Sequence, residues 1–315
     1  MANNNFDIDL VYLWVDGNDP VWRAKRNVFI GKTDENSSVN CEGRYANNDE
    51  LMFSLRSAEK YAPWIRKIFI ITDDQIPNWL DITHPKISVI DHKEIMPPDS
   101  LPCFNSVTIE HFLFNIPDLS EYFLYANDDI FFNKTVTPNT FFGSDGLPII
   151  RFHYRFFRKW TLFFSEKILK RTLSNYNQTI RNAAELVERK YGIYCNIKPH
   201  HNIDAYLKSD CLCVRDIFKD ELEATFSNRV RSSNDIQRSL YSYVAFAEKR
   251  GHFKHSTNKD AFHFHIHKDH HYQKFEKYNP MLFCMNDSEY ATDSHRMKAN
   301  TFLQKLFPEK SQFEK

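Results

Sequence analysis

Short strand patterns alternate with helical patterns along the first half of the chain, and this alternation restricts the fold more than any other feature. Apolar runs rich in β-branched and aromatic residues predict strands, and apolar residues at helical spacing predict the helices between them. We expect strands at Asp9–Val15, Lys67–Thr72, Lys86–Ile90 and Tyr122–Ala126, and helices at Asp49–Tyr61 and Ile109–Phe114. Strands separated by helices predict a parallel-rich α/β sheet, in which ligands bind at the carboxyl ends of the strands.

Helical patterns dominate the second half of the sequence. Helices are predicted at Trp160–Arg171, Gln178–Tyr191 and Asp235–Lys249. The last segment, Thr292–Lys315, is predicted to form an amphipathic helix followed by a frayed tail. The sequence therefore predicts an α/β protein with a more helical second half.

Composition and charge restrict the class of protein and its partners. Of 315 residues, 42% are hydrophobic and 26% are charged, which is typical of a folded globular chain. Lys plus Arg and Asp plus Glu number 41 each, so no net field favours nucleic acid or an anionic membrane. The sequence shows no signal peptide and no run of roughly 20 apolar residues, and its six cysteines are scattered. We expect a soluble cytoplasmic protein with reduced thiols and no nucleic-acid partner.

An acidic segment, Asn127-Asp128-Asp129, comes directly after the predicted strand Tyr122–Ala126. Carboxylates at a strand end are well placed to hold Mg²⁺ or Mn²⁺ on a phosphate-bearing substrate, although the same residues could simply form a turn. The chain has only seven glycines and neither of the common glycine-rich phosphate loops. A bound phosphate would therefore need positive charge from a metal and from side chains.

Two further segments of the first half carry polar residues that could bind a nucleotide. Trp14 and the turn at Asp16-Gly17 follow the first predicted strand, although Trp14 could equally pack in the core and Asp16 close the turn. On the helix Asp49–Tyr61, Asp49 and Arg56 lie near one face. Arg56 and the preceding Arg44 could contact phosphates, or they could belong to an ordinary capped helix with a surface arginine.

Three sequence blocks resemble the first three conserved regions of the Stealth family. They are Ile8–Pro20, Asn48–Thr72 and Phe123–Phe132, and a segment around Pro280–Ser288 resembles a fourth region. The family comprises bacterial capsular polysaccharide phosphotransferases and the catalytic subunit of the animal lysosomal-enzyme N-acetylglucosamine-1-phosphotransferase.

This resemblance implies transfer of a sugar 1-phosphate from a UDP-sugar to an acceptor hydroxyl, with release of UMP and formation of a phosphodiester-linked capsular or exopolysaccharide. It also implies a nucleotide-diphospho-sugar transferase-like (GT-A-like) core. Residues 1–150 would bind the nucleotide sugar, and residues 151–315 would complete the site within one catalytic domain. Two other functions stay open, a metal-dependent glycosyltransferase that releases UDP and a non-enzymatic carbohydrate-binding protein. Peripheral association with a membrane polysaccharide-assembly complex is also compatible with the sequence.

The resemblance further implies roles for individual residues. The segment Pro199–Asp204 resembles the family's histidine segment, so that either His200 or His201 is the functional histidine, and Arg231 to Asp235 resembles its Arg-x-x-x-Asp segment. The expected catalytic residues are His200 or His201, Arg231 and Asp128. The expected substrate-binding residues are Trp14, Asp16, Gly17, Arg44, Asp49, Arg56, Asn127 and Asp235. The expected ligands of Mg²⁺ or Mn²⁺ are Asp128, Asp129, Asn286 and Asp287.

A histidine-rich run lies outside these blocks, within His252–His271. In Phe262–His267, strand alternation would place His263, His265 and His267 on one face. Such a row could be a zinc ligand set, a solvated strand face or a contact for acceptor phosphates.

Overall fold

The structure is a computed structural model that describes residues 6–30, 47–154 and 158–315. The strands are β1 (Ile8–Leu13), β2 (Ile68–Thr72), β3 (Ile87–Asp91), β4 (Tyr122–Asn127), β5 (Ile130–Phe132), β6 (Ile149–Tyr154), β7 (Ile197–Pro199), β8 (Asp204–Leu207), β9 (His252–His255), β10 (Ala261–His265) and β11 (Leu282–Asn286). The helices are α1 (Pro20–Asn27), α2 (Glu50–Tyr61), α3 (His92–Ile95), α4 (Ser106–Glu110), α5 (Arg158–Lys167), α6 (Asn175–Tyr191), α7 (Lys208–Ile217), α8 (Lys219–Phe226), α9 (Ser239–Glu248), α10 (Asp269–Tyr278) and α11 (Asp293–Leu306).

The central sheet has the strand order β3-β2-β1-β4-β8 within the described part of the chain. Strands β1 to β4 are parallel, with Leu10 opposite Ile68 on one side and Leu124 on the other, and β8 pairs antiparallel with β4. Side chains of alternating residues form hydrophobic clusters on both faces, around Val11 on one face and Tyr12 on the other. The predicted parallel-rich α/β sheet is therefore confirmed.

Two smaller sheets extend the central one. Strands β10, β11 and β5 form one of them, and β7, β6 and β9 form the other. Strand β4 belongs to the central sheet and β5 to the first of the smaller sheets, so the two residues between them, Asp128 and Asp129, lie where these sheets meet. Helix α2 fixes this junction, because Ser54 Oγ donates to the Ile130 carbonyl at 2.5 Å and the Phe132 amide donates to Ser57 Oγ at 3.1 Å.

Several helices occur where the sequence predicts them. Helices α2, α5, α6 and α9 overlap their predicted ranges, whereas α4 ends at Glu110 and only begins to cover the range predicted at Ile109–Phe114. Local signals define α6, since Ser174 accepts from the Asn177 amide at its start and Gly192 adopts a φ of 71° at its end. Helices α5 to α11 make the second half the more helical one, as predicted.

The second half also contains strands that the sequence did not predict. Strand β8 completes the central sheet, and β11 pairs with β5 of the first half at Cys284 and Ile130. Both halves therefore contribute strands to the same sheets. The division at residue 150 stays a prediction.

The predicted frayed tail after α11 is wrong. Phe313 is 2% exposed, and the Lys315 amide donates to the Trp79 carbonyl at 2.9 Å. The segment is ordered because its aromatic side chain packs in the core beside α2 and because its backbone pairs with the loop after β2. Among the described helices, none has the length and apolarity needed to cross a membrane.

Candidate functional site

A cavity of about 290 Å³ lies at the carboxyl ends of β1 and β4. Its wall contains Trp14 after β1, Asn127 at the end of β4 and the acidic pair Asp128-Asp129. The opposite elements of the wall come from α4, α6, the loop before α9 and the end of β11. This is where a parallel sheet is expected to bind its ligand, because the strand ends and the following loops leave a crevice there.

Three carboxylic acids share one side of this cavity. Burial raises the pKa of Asp128 well above its usual value, and the nearby charges of Asp129 and Glu50 raise it further. Burial also raises the pKa of Asp129 and brings that of Glu50 to about 7. Asp129 Oδ1 is buried without a hydrogen-bond partner. Groups that repel one another in this way favour either protons or a bound cation.

The residues around Asp129 offer two kinds of metal ligand. Asp128, Asp129 and Asn286 line the cavity with oxygen atoms, which suit Mg²⁺ or Mn²⁺. Ligand atoms of Asp129, His201 and Cys284 also lie within 4.8 Å of one another, and Cys284 Sγ donates to Asp129 Oδ2 at 3.2 Å. Asp129 belongs to both sets, and the lack of a hydrogen-bond partner at its buried Oδ1 fits a cation site.

Asp287, a predicted metal ligand, forms an ion pair with Arg296. Arg296 Nε donates to Asp287 Oδ2 at 2.7 Å, and the Ser288 amide donates to Asp287 Oδ1 at 2.6 Å. Both carboxylate oxygens are therefore engaged at the cavity wall. This ion pair orders the end of β11, and the role of Asp287 as a metal ligand stays a prediction.

The loop before α9 brings an arginine to the cavity. Arg231 lines the wall and donates from Nη2 to Ser106 Oγ at 3.1 Å. Asp235 is fully buried and accepts from Asn105 Nδ2 at 2.9 Å, from Asn228 Nδ2 at 2.6 Å and from the Ser232 amide at 2.9 Å. Through these hydrogen bonds Asp235 holds the loop that carries Arg231. Because Asp235 also lines the cavity, its role in binding substrate stays a prediction.

The two candidate histidines occupy different environments. His201 lines the cavity, and burial lowers its pKa well below the usual value. His200 is 4% exposed and is not among the described residues that line the cavity. Its ring lies 4.6 Å from that of His153, and burial lowers its pKa to about 3. Of the two alternatives left open by the sequence, only His201 is therefore within reach of a ligand in this cavity.

Arg238 is part of the cavity wall that sequence reasoning missed. Its guanidinium forms ion pairs with Asp204 and, at 3.2 Å, with Glu110, and it lies 4.7 Å from the centre of the Tyr125 ring. The Tyr125 hydroxyl donates to Asn127 Oδ1 at 2.8 Å, which links this buried cluster to the end of β4. No local signal could reveal it, because Glu110, Asp204 and Arg238 are far apart in sequence and meet only in the folded chain.

The predicted nucleotide residues after β1 divide into two groups. Trp14 lines the cavity at 7% exposure. Asp16 and Gly17 are not among the described residues of its wall. Asp16 Oδ1 accepts from the Asn18 amide at 2.9 Å, and Arg23 Nη2 donates to the Gly17 carbonyl at 3.0 Å. These two residues therefore close a turn, the alternative that the sequence left open.

The helix α2 carries one prediction that the structure contradicts. Arg56 Nη2 lies 2.7 Å from Glu314 Oε2, and Arg56 Nη1 donates to the Phe307 carbonyl at 2.9 Å. Arg56 is buried against the last residues of the chain, away from the described cavity wall, because its face of α2 packs on that segment. Asp49 precedes α2 at a φ of 64° and does not line the cavity within the described ranges, and Arg44 lies outside those ranges.

Fold and site together define an α/β protein with an acidic, cation-suited cavity at the ends of its parallel strands. Residues 6–34 match Stealth protein conserved region 1, and residues 44–150 match Stealth protein conserved region 2. The match to region 2 covers both the second and the third sequence block, so the third block is not a separate region. The chain belongs to the Stealth family.

Relatives of known name extend the likeness beyond these regions. The exopolysaccharide phosphotransferase cps2G of Lactiplantibacillus plantarum is 50% identical over 143 residues, which are 45% of this chain and 41% of that protein. The capsular polysaccharide phosphotransferase SacB of Neisseria meningitidis serogroup A is 33% identical over 99% of this chain and 58% of that protein. The capsular polysaccharide phosphotransferase fcs1 of Haemophilus influenzae is 30% identical over 98% of this chain and 85% of that protein.

The chain thus spans about half the length of the first two relatives, 41% and 58%, and most of the third. Among solved structures, the galactosyltransferase LgtC in complex with donor and acceptor sugar analogues is similar at a TM-score of 0.47 and 12% identity. That likeness covers 96% of this chain and 98% of LgtC.

Proposed function

We propose that this protein transfers a sugar 1-phosphate from a UDP-sugar to a hydroxyl group of a saccharide acceptor. UMP leaves, and the product is a phosphodiester-linked capsular or exopolysaccharide. The names of the relatives support phosphotransfer in polysaccharide synthesis. The observation that carries the proposal is that Asp128-Asp129, Arg231 and His201 line the same cavity. An acidic pair, a cation and a neutral imidazole are what phosphoryl transfer between oxygen atoms needs.

The acidic pair would hold Mg²⁺ or Mn²⁺ together with Asn286. The buried and unpaired Asp129 Oδ1 and the raised pKa values of the carboxyl groups support this assignment. When bound, such a cation neutralises charge on the diphosphate of the donor. Arg231 would contact the oxygens of the transferred phosphoryl group with its planar fork of N–H donors. Trp14, which lines the cavity together with Trp22 and Phe104, would pack against the uracil base.

In the reaction, the acceptor hydroxyl oxygen attacks the phosphorus atom that bears the sugar. A new P–O bond forms, and the bond from this phosphorus to the oxygen that bridges the two phosphates breaks. The departing electron pair stays on the UMP oxygen. His201 would accept the hydroxyl proton, because its lowered pKa leaves the ring neutral with a free electron pair at neutral pH.

The identity of the nucleotide that is released, UMP or UDP, tests this function. The protein is incubated with Mn²⁺, a saccharide acceptor and a UDP-sugar labelled in both the uridine and the phosphate next to the sugar. Label that separates into UMP and a phosphorylated saccharide supports the proposal. Release of UDP would show instead a glycosyltransferase, and an intact donor with every UDP-sugar and acceptor would contradict both enzymes.

The neighbouring histidines provide a matched pair of variants. His201→Gln should lower the rate of UMP release by about 10²–10⁴-fold, because a general base contributes about that much. His200→Gln should retain most of the rate, since His200 lies outside the described cavity wall. Equal losses in both variants, with unchanged unfolding temperatures, would contradict the role of His201.

Association with a membrane assembly complex stays a prediction, which co-sedimentation with membranes would test.

A further inference from the structure

Beyond His201, a row of imidazole rings leads away from the cavity. The His201 ring lies 5.5 Å from that of His263, and the His263 ring lies 4.7 Å from that of His265. The His267 ring follows at 5.7 Å from His265. Because His201 also lines the cavity, the row begins at the place where phosphoryl transfer would occur.

The alternation of β10 fixes the direction of these rings. Phe262, Phe264 and Ile266 are 6%, 0% and 3% exposed and pack in the core behind the strand. Successive side chains of a strand point to opposite faces, so His263 and His265 must lie on the outer face. His263 is exposed and His265 is partly exposed, with its Nδ1 buried. A ligand can therefore reach the His263 ring and the open part of the His265 ring.

Two lysines supply positive charge beside the row. Lys198 Nζ lies 5.2 Å from the centre of the Tyr176 ring, which forms part of the cavity wall. The Lys268 amide donates to the His265 carbonyl at 3.0 Å, which places Lys268 beside the row. A nearby acid, Asp269, is already paired with Lys298 at 2.5 Å. The near part of the row is therefore a surface of N–H donors in a positive field.

The far end of the row is less favourable to anions. There the pKa of His267 is lowered first by partial burial and by Lys268, and the opposing charge of Glu289 partly offsets this effect. His267 Nδ1 also lies 3.2 Å from Ser288 Oγ, a contact within the protein. An anionic ligand is therefore expected at His263 and His265, next to the cavity.

The proposed function indicates which anion would lie there, and the inference rests on that function. Each transferred sugar phosphate leaves one phosphodiester, and hence one negative charge, on the product. A product that returns as the next acceptor brings this charge to the mouth of the cavity. Imidazole N–H groups and lysine ammonium groups bind phosphate oxygens through charge-assisted hydrogen bonds. We propose that His263 and His265, with Lys268, bind the phosphodiester groups of a growing saccharide acceptor.

Binding without any donor tests this acceptor site separately from catalysis. The probe is a fluorescently labelled oligomer of glucose units joined by phosphodiester bonds, and a maltooligosaccharide of the same number of glucose units is the uncharged comparison. The variants are His263→Gln/His265→Gln and, as an independent change, Lys268→Gln. The matched control is His252→Gln. His252 is an exposed histidine on β9 whose ring pairs with Asp145.

The wild type should bind the phosphodiester oligomer more tightly than the maltooligosaccharide, with an affinity that falls as salt rises. The double variant should weaken binding of the charged oligomer by about tenfold, as expected for lost hydrogen bonds to a charged group. Lys268→Gln should weaken it in the same direction, and His252→Gln should leave it unchanged.

Two results would overturn the proposal. One is wild-type affinity in both the double variant and Lys268→Gln. The other is tighter binding of an oligothymidylate of the same charge than of the saccharide, since that would indicate a site for nucleic acid. The failure of the proposed function would appear elsewhere, as the absence of UMP release by the wild type.

Discussion

Among single residues, the acidic pair at the end of β4 has the most unusual environment. Beyond the effect of burial, the charges of Asp129 and Glu50 raise the pKa of Asp128, and the charge of Asp129 raises the pKa of Glu50. Like charges that are held together without solvent destabilise the folded state. Such an arrangement is useful where a cation or a charged ligand offsets the repulsion, which is why it indicates a binding site more than a stabilising turn.

This reasoning predicts opposite effects of Asp128→Asn on stability and on metal binding. The pKa of Asp128 is about 4 in the unfolded chain and is raised in the folded state. As the pH rises above about 4, ionisation of Asp128 therefore lowers the stability of the wild type, whereas asparagine does not ionise. In EDTA, the variant should therefore unfold at a temperature equal to or above that of the wild type. With Mn²⁺ at 100 times its dissociation constant, the wild type should gain about 2.7 kcal/mol, and the variant much less.

Thermal unfolding with and without Mn²⁺ measures both effects. Asp74→Asn is the control, because Asp74 is exposed and its φ of 57° is tolerated by asparagine. This control should keep the full gain from Mn²⁺. An equal gain in Asp128→Asn and the wild type would contradict a metal site at Asp128.

A second residue, His111, is expected to make the stability of the fold depend on pH. Its Nε2 lies 2.7 Å from the Ile236 carbonyl and must donate to it, so the Tyr241 hydroxyl donates to Nδ1 at 2.6 Å. Burial lowers the pKa of His111 to about 4. A histidine with a depressed pKa stabilises the fold fully above its unfolded value near pH 6.5, and this stability is lost as the pH falls towards 4.

Between pH 7 and pH 5, His111 should therefore reduce the free energy of unfolding by about 2 kcal/mol. His111→Gln should remove this part of the pH dependence, because glutamine does not titrate. Urea unfolding of both proteins at the two pH values measures the difference. Parallel changes with pH in the wild type and the variant would show that His111 is not held neutral.

Among the elements, helix α2 shows how one amphipathic segment can serve two places. Its first residue, Glu50, reaches the cavity, and its serines bind β5. On another face, Arg56 pairs with Glu314, and their side chains are 7% and 3% exposed. The helical pattern predicted the helix correctly, but the pattern does not say which face will meet the site and which will meet the last segment of the chain.

Glu314→Ala should destabilise the protein by about 3–5 kcal/mol, because it leaves the Arg56 guanidinium buried without its carboxylate. Lys254→Ala is the comparison, since Lys254 forms a 3.0 Å ion pair with Asp260 but is 54% exposed. That change should cost less than about 1 kcal/mol. Chemical denaturation measures both. Similar small losses in the two variants would mean that the segment after α11 contributes little to the fold.

Across the whole molecule, the two halves of the chain are interleaved in the sheets. Strand β8 of the second half pairs with β4, and β11 pairs with β5. A fragment of residues 1–150 would therefore expose the edge of β4 and leave β5 without its partner. We expect this fragment to be aggregated or readily digested by protease, whereas the full chain resists digestion. A monomeric fragment with protected amides in β4 would contradict this expectation.

The sequence by itself determined the local features of this protein. It predicted the strands β1 to β4 and the helices α2, α5, α6 and α9, because periodicity and capping act over a few residues. It also indicated the acidic pair, because a polar turn after a buried strand is a local signal. The family followed from blocks of sequence that are long enough to be specific.

Only the tertiary structure decided which of these residues share a site. Arg238, Glu110 and Asp204 meet there from distant positions in the sequence. Arg56 pairs with the last segment of the chain, and His201 lines the cavity whereas its neighbour His200 does not. The tertiary structure also bound Asp235 and Asp287 to partners inside the protein. Such outcomes depend on which faces pack together, and contacts between distant segments leave no local pattern in the sequence.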